Sequence, residues 1–173
     1  MFVFAVPEKQ VYANELDETR VSMLEKQGLA KVTSQDATLP FEGEEVYDGV
    51  IANPPFGSSG NVSYDGINVS SLAPQIALNA LSKMADNGRA AIIIGGNTTY
   101  EKNGAIKDNK GFFAYLYDHY NVQGVIDMDG DMYAKQGTTY PTRMILINGR
   151  RSEEERKNSR IYPPVQSKSL PKS

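Results

Sequence analysis

Residues 48–56 read Asp48-Gly49-Val50-Ile51-Ala52-Asn53-Pro54-Pro55-Phe56: a short apolar run, then a polar side chain, two prolines and an aromatic ring. The unbroken run Asp48–Ala52 predicts a buried strand. Two consecutive prolines remove two backbone donors and fix φ, so the strand has to stop at Asn53 and the chain leaves it stiff and extended. A polar group is thereby held at the carboxyl end of a strand. In open α/β sheets ligands bind at such ends.

The pattern on either side of this strand alternates between strand-like and helix-like periods. Upstream, Val11–Leu16 (VYANEL) predicts a strand. Asp17–Gln27 predicts a helix with an acidic first turn, with Val21, Met23 and Leu24 available for burial and Gly28 just past its end. Ala30–Ser34 predicts a second strand that leads to Asp36. Downstream, residues 57–70 (GSSGNVSYDGINVS) are rich in Gly, Ser and Asn and predict a mobile loop. A helix is expected from Leu72 to Asp86, with Leu72, Ile76, Ala80 and Met84 on one stripe, Ala77 and Leu81 beside it, and Gly88 as the stop. Arg89–Ile94 predicts a strand and Phe112–Tyr120 a helix with Phe112, Phe113, Leu116 and Tyr120 inward. Val122–Asp127 and Arg143–Asn148 predict two final strands, close enough in sequence for an antiparallel edge. The order predicts an α/β fold with helices on both faces of the sheet. Residues 1–150 form the folded domain in this reading. Residues 151–173, charged and rich in Pro and Ser, form a linker or disordered tail.

Composition narrows the chemistry. The chain has 173 residues, 40% of them hydrophobic, with 18 Lys+Arg against 21 Asp+Glu and a formal charge of −3. That balance excludes binding nucleic acid by a polybasic arm alone. The absence of Cys excludes disulfides, thiol nucleophiles and Cys-ligated zinc, and the single histidine, His119, excludes a His-rich metal centre. Nothing near His119 pairs with it as a catalytic couple, so a structural or surface role is expected. Asp127, Asp129 and Asp131 have the look of a calcium loop, but the position that needs a bidentate Glu holds Thr138, so no metal is expected. No apolar run approaches the ~20 residues of a membrane span, and MFVFAVPEKQ lacks the basic start of a signal peptide. A soluble cytoplasmic domain is the expectation.

Asn53-Pro54-Pro55-Phe56 at a strand end resembles the catalytic motif of the S-adenosylmethionine-dependent N6-adenine and related amino-group methyltransferases. The chemistry suits these residue types. An exocyclic amino nitrogen is a poor nucleophile because its lone pair is delocalised into the ring. Two acceptors aimed at its hydrogens, the Asn53 side-chain oxygen and the Pro54 carbonyl, would draw it towards tetrahedral geometry, and Phe56 would offer a face to a base swung out of its stack. Cytosine-C5 methylation needs a thiol, which this chain lacks.

The resemblance implies more. Glu15 is placed like the acidic residue that accepts from the cofactor ribose, with Asp17 and Glu18 competing for the role. Asp36, with Ala37 beside it, matches the residue that reads the cofactor adenine, and a plain turn role for Asp36 stays open. Tyr133, Gly137 and Thr138, in GDMYAKQGTTYPT, match a signature near the target-base pocket. The family's first strand and Gly-rich cofactor loop should precede the first helix. No such loop precedes Val11, and Gly57, Gly60, Gly95 and Gly96 come too late in the order. The expectation is a Rossmann-like methyltransferase sheet lacking its first strand and that loop, within a larger DNA-modifying polypeptide of restriction-modification or methylase–helicase type. DNA would be the partner through additional regions, and an open sheet edge would suit a homodimer. Three competing readings are an impaired, non-catalytic remnant or assembly module, a methyltransferase acting on RNA or a protein glutamine, and a nucleotide-binding domain with a coincidental NPPF.

Overall fold

The computed structural model describes residues 6–96, 102–103, 107–128, 141–158 and 167–169. The chain divides into two units, Met1–Phe41 and Glu42–Ser173.

In the first unit, β1 (Tyr12–Asn14) and β2 (Lys31–Thr33) pair in parallel with Asn14 opposite Thr33. A parallel pair needs a crossover, and α1 (Glu18–Glu25) supplies it. Asp17 caps α1, its Oδ1 accepting from the Arg20 amide at 2.9 Å. Both strands and the helix are shorter than their predicted ranges. The helix buries none of its residues and Met23 is 60% exposed, against expectation. Two three-residue strands present too little surface to cover it, and Val11 and Leu29 are buried instead.

In the second unit the elements follow as β3 (Tyr47–Ala52), β4 (Ser58–Tyr64), β5 (Ile67–Ser71), α2 (Leu72–Ser82), β6 (Met84–Gly95), α3 (Lys110–His119), β7 (Tyr120–Met128), β8 (Thr142–Arg150), α4 (Glu153–Asn158) and β9 (Ser167–Ser169). The main sheet has the order β3-β6-β8-β7-β9. β3 runs parallel to β6, and β9 parallel to β7, whereas β8 runs antiparallel to both its neighbours. The expected α/β sheet is therefore present and mixed in direction. Its antiparallel strand lies between β6 and β7 rather than outermost, a placement that sequence proximity to β7 alone does not reveal.

Alternate residues of the central strands, Ala90, Ile92 and Ile94 with Ile145, Ile147 and Val125, form one buried cluster with Ala77, Leu78 and Leu81 of α2 and Phe112, Phe113 and Leu116 of α3. Each fully buried side chain of this size stabilises the fold by roughly 1.5–3 kcal/mol. Arg150 secures the end of α2: its guanidinium donates to the carbonyls of Leu81, Ser82 and Met84 at 2.8–3.0 Å and lies over the Tyr120 ring. Burial pushes the Tyr120 hydroxyl up to about 12.

The structure corrects several expectations. Residues 57–70 are not a loop; most of them form the β4–β5 hairpin. Its turn is Asp65-Gly66, with φ of 47° and 80°, the two left-handed positions of a type I′ turn. α2 ends at Ser82 rather than Asp86, because Lys83 turns the chain: its carbonyl accepts from the Tyr47 amide at 2.7 Å, and its ammonium reaches the carbonyls of Glu42 and Gly43. The buried face of α2 carries Ala73, Ala77, Leu78 and Leu81, while Leu72, Ile76 and Ala80 are half-buried. The helix is apolar on most sides, so its periodicity could not choose between stripes. Gly88 does not stop a helix; it lies in the irregular start of β6, where a Cβ would meet Met84 Cγ and the carbonyls of Ala85 and Asp48. β3 is only partly buried, since it is the outer strand of its sheet and Ile51 is 63% exposed. His119, for which a structural or surface role is expected, packs on the hairpin turn: its Nε2 lies 2.8 Å from Asp65 Oδ2, and its ring stacks on Tyr115. Residues 153–158 are helical, and Arg156 ties them to Asp118 at 2.9 Å, so this part of the expected tail is docked.

Candidate functional site

β3 delivers Asn53 to its carboxyl end, and the parallel pairing of Ala52 with Ile92 turns β6 towards the same end. β8 begins there as well, with Thr142 opposite both Gly95 and Met128. Asn53 is exposed, Pro54 buried, Pro55 exposed and Phe56 43% exposed. Burial of the Pro54 ring anchors the turn while its neighbours face solvent. Among the described residues nothing hydrogen-bonds to the Asn53 side chain or to the Pro54 carbonyl. Two adjacent acceptors are therefore without a hydrogen-bond partner among the described residues. Unsatisfied acceptors at a stiff strand end are suited to receiving the two hydrogens of an amino group.

Behind the motif the chain is fixed. The Gly57 carbonyl accepts from the first amide of α2, Leu72, at 3.1 Å. Tyr133, Gly137 and Thr138 lie outside the described residues. The segment that carries them is bracketed by Met128 and Thr142, which are paired across β7 and β8. Arg143, next to Thr142, is buried and donates from Nε to Asp127 Oδ1 at 2.6 Å. A surface hollow lined by Asn121, Arg151 and Glu155 lies near the opposite ends of these strands.

In the first unit, Glu15 follows β1 and Asp36 lies three residues beyond β2. Asn14, which sequence reasoning passed over, ties the two strand ends together. Its Nδ2 donates to the Gln35 carbonyl at 3.0 Å, and its Oδ1 accepts from the Gln35 amide at 2.9 Å and from Thr33 Oγ1 at 2.9 Å. Residues adjacent to Glu15 and Asp36 are thus clamped to each other. Asp36 Oδ1 accepts from the Thr38 hydroxyl at 2.7 Å and the Thr38 amide at 2.9 Å, which holds the carboxyl below its usual range. Aspartate with a hydroxyl residue two positions later was the available signal for this turn. No described residue donates to Asp36 Oδ2. Ala37 is half-buried beside it.

Glu15 is gripped by Arg20, with Nη2 3.0 Å from Oε1 and Nε 3.0 Å from Oε2, and it also accepts from the Asp17 amide at 3.0 Å. The Arg20 hydrogen bond is the main reason that its carboxyl titrates below the ordinary glutamate value of 4.5. A depressed carboxylate stabilises the fold above its unfolded-state value, and that contribution is lost as pH falls through the lower folded one. We expect Arg20→Gln to return the Glu15 midpoint upward towards 4.5, read by carboxyl-carbon NMR titration; an unchanged midpoint would exclude Arg20 as the cause. Asp17, the competitor for the Glu15 role, is used by the α1 cap, and Glu18 lies exposed in the first turn of α1.

The sequence model of one family, N-6 DNA Methylase, matches residues 24–162. The chain belongs to the N-6 DNA methylase family. Solved structures share the methylase fold. A modification subunit assigned to a type I restriction enzyme of Vibrio vulnificus YJ016 matches with a TM-score of 0.61 and 13% identity, over 80% of this chain and 32% of that one. A protein assigned as a class I S-adenosylmethionine-dependent methyltransferase of Listeria monocytogenes matches at 0.61 and 12%, over 92% and 49%. A chain of a type I restriction-modification system, solved to explain complex assembly, matches at 0.61 and 13%, over 94% and 33%. The chain thus spans a third to a half of the length of these structures. No curated protein sequence matches it. Among the described residues, no group of three or more His, Cys, Asp or Glu is placed to hold a metal ion, and no helix is long and apolar enough to cross a membrane.

Proposed function

We propose that this chain is part of the catalytic region of an S-adenosylmethionine-dependent DNA methyltransferase that acts on the N6 amino group of adenine. The observation that carries the reading is the pair of unengaged acceptors, Asn53 and the Pro54 carbonyl, at the strand end of a member of the N-6 DNA methylase family. Asn53 Oδ1 and the Pro54 oxygen each accept one amino hydrogen, which localises the nitrogen lone pair. Phe56 stacks on the extruded base. Such positioning accelerates an in-line displacement without a covalent intermediate.

The chemistry of the donor set suits the cofactor. Asp36 keeps Oδ2 for an exocyclic amine. Glu15, although already carrying a guanidinium, has further lone pairs for ribose hydroxyls. When bound, S-adenosylmethionine supplies a methyl group activated by its sulfonium. Residues 1–150 are assigned to the catalytic region, and Tyr133, Gly137 and Thr138 to the target-base pocket. The net charge of −3 leaves most of the DNA affinity to other regions of the protein. The two type I restriction-modification neighbours support a parent that assembles with other subunits. The outer edge of β3 is where a homodimer or another strand would add. The cytoplasm is the compartment this substrate implies.

The test is transfer of labelled methyl from S-adenosylmethionine by the full-length protein to DNA, RNA and protein in parallel. Label recovered as N6-methyladenine in DNA is the expected result. Label in RNA or on a glutamine amide would move the substrate within the family, and no transfer to any of the three would favour a non-catalytic assembly module.

A further inference from the structure

β4 and β5 do not pair evenly. Ser58 lies opposite Ser71 and Val62 opposite Val69, so four steps along one strand meet two along the other. A bulge of this kind interrupts the ladder and leaves carbonyls without amide partners. One side chain spans this region. Gln75, in the first turns of α2 and only 2% exposed, donates from Nε2 to the Gly60 carbonyl at 2.6 Å and to the Val69 carbonyl at 2.8 Å. An amide nitrogen has two hydrogens, and both are used. Gln75 joins the strand that leaves the NPPF turn, its partner strand and the helix beneath them. The same helix begins by binding the Gly57 carbonyl through the Leu72 amide, one residue after Phe56.

We propose that Gln75 is a positioning residue for the methyl-transfer motif, and that its side-chain amide sets the pose of Phe56 and the preceding acceptors through the bulged strand. This rests on the function proposed above. α2 follows directly from β5 and is joined to Gly57 through the Leu72 amide; the two short Gln75 hydrogen bonds, to carbonyls on different strands, add a fixed distance and rotation of β4 on the helix. Other side chains also act at this end of the hairpin: Ser71 Oγ lies 3.1 Å from Asn109 Oδ1, and Ser59 Oγ donates to the Gly60 and Ser70 carbonyls at 3.3 and 3.4 Å, but Gln75 is the side chain of α2 that reaches both strands. The far end of the hairpin is held separately, with the Tyr64 hydroxyl 3.3 Å from the Gln75 carbonyl and 3.2 Å from Asn79 Oδ1, and Asp65 against His119. Tyr64→Phe therefore loosens the far end while leaving both hydrogen bonds of the Gln75 side-chain amide in place.

The chain has no tryptophan, so Phe56→Trp places a single indole in the motif, which red-edge excitation reads apart from the 10 tyrosines. In that background, Gln75→Met keeps the side-chain volume and removes both donors. The expected result is a red-shifted emission with faster quenching by acrylamide, while Tyr64→Phe leaves emission and quenching as they were. Identical spectra for Gln75→Met and its parent would overturn the proposal. So would an equal change from Tyr64→Phe, because that would mean general loosening of the hairpin. If Gln75→Met does not fold, Gln75→Asn, which keeps the amide but is one methylene too short to reach both carbonyls, takes its place with the same two outcomes.

In the full-length protein with native Phe56, Gln75→Met should lower the single-turnover rate by about 100-fold, the effect of a misplacement near 1 Å. The KM for S-adenosylmethionine should stay unchanged. A rate unchanged per folded molecule contradicts the proposal. Inactivity of the wild-type protein on adenine would count against the function proposed above, and the fluorescence comparison would still decide the role of Gln75.

Discussion

Asn53→Ala is expected to lower methyl transfer to adenine by about 10²–10³-fold, the usual loss when one preorganised hydrogen-bonding group is removed from a reacting centre. The argument rests on what Asn53 does not do. It is exposed and none of the described residues bonds to its side chain, so its removal leaves no partner unsatisfied and the fold should be unaffected within about 0.5 kcal/mol. Cofactor affinity should be unchanged as well, since Asn53 is given a role only towards the amino group. Asn53→Asp makes the sharper comparison: it retains an acceptor oxygen on a side chain of the same shape and should keep a substantial part of the rate. Single-turnover rates for the three proteins, with melting temperature and cofactor affinity measured on each, decide the matter. If the alanine variant transfers methyl at the wild-type rate, the acceptor role of Asn53 is wrong, whatever the rest of the protein does.

Phe113→Ala is expected to have the largest effect on stability. The ring is 1% exposed, meets Phe112 edge-on at 5.2 Å between centroids and lies 6.5 Å from the Tyr117 ring. Truncation removes the transfer energy of a large apolar group and leaves a cavity that neighbours on α2, α3 and the central strands can only partly fill. The cost for such sites is about 3–5 kcal/mol. Typical domains have only about 5–15 kcal/mol in all. The midpoint of thermal unfolding should fall by on the order of 10 °C or more. A shift below a few degrees would mean that this part of the core relaxes freely. Phe113→Leu, which keeps most of the volume, should recover the larger part of the loss.

The sequence was most legible where the chemistry is local. Pro54 and Pro55 end a strand wherever they occur, so the position of Asn53 followed from covalent geometry. The long apolar runs of β6, β7 and β8 could be read from composition alone. Their order could not, because the insertion of β8 between β6 and β7 is decided by pairings remote in sequence. The hairpin was missed for a different reason: its Gly, Ser and Asn residues suggested a loop and hid an Asp65-Gly66 turn between alternating strands. That signal was present and specific.

Gln75 carried no signal at all. A glutamine in a helix normally faces solvent, and only the bulge in β4 gives its amide two carbonyls to satisfy. The carboxylates fell between these cases. Glu15, Asp17 and Glu18 could not be ranked by type, but Asp17 is the residue whose backbone position suits the helix cap, which leaves Glu15 to Arg20.

The central place of β8 also governs how the sheet can be made. Its residues, Thr142–Arg150, emerge from the ribosome after β6 and β7. Translation at about 5–20 residues per second puts several seconds between the end of β6 and the end of β8. For that interval β6 keeps an unpaired side along an isoleucine-rich stretch, Ile92-Ile93-Ile94, and β7 has no partner with which to close against it. Such edges recruit other chains when they wait too long. When β8 arrives it pairs on both sides, so closure of the sheet and burial of Ile145 and Ile147 become one late event. Premature termination between the end of β6 and the start of β8 would release a nascent chain whose most aggregation-prone edge is still open.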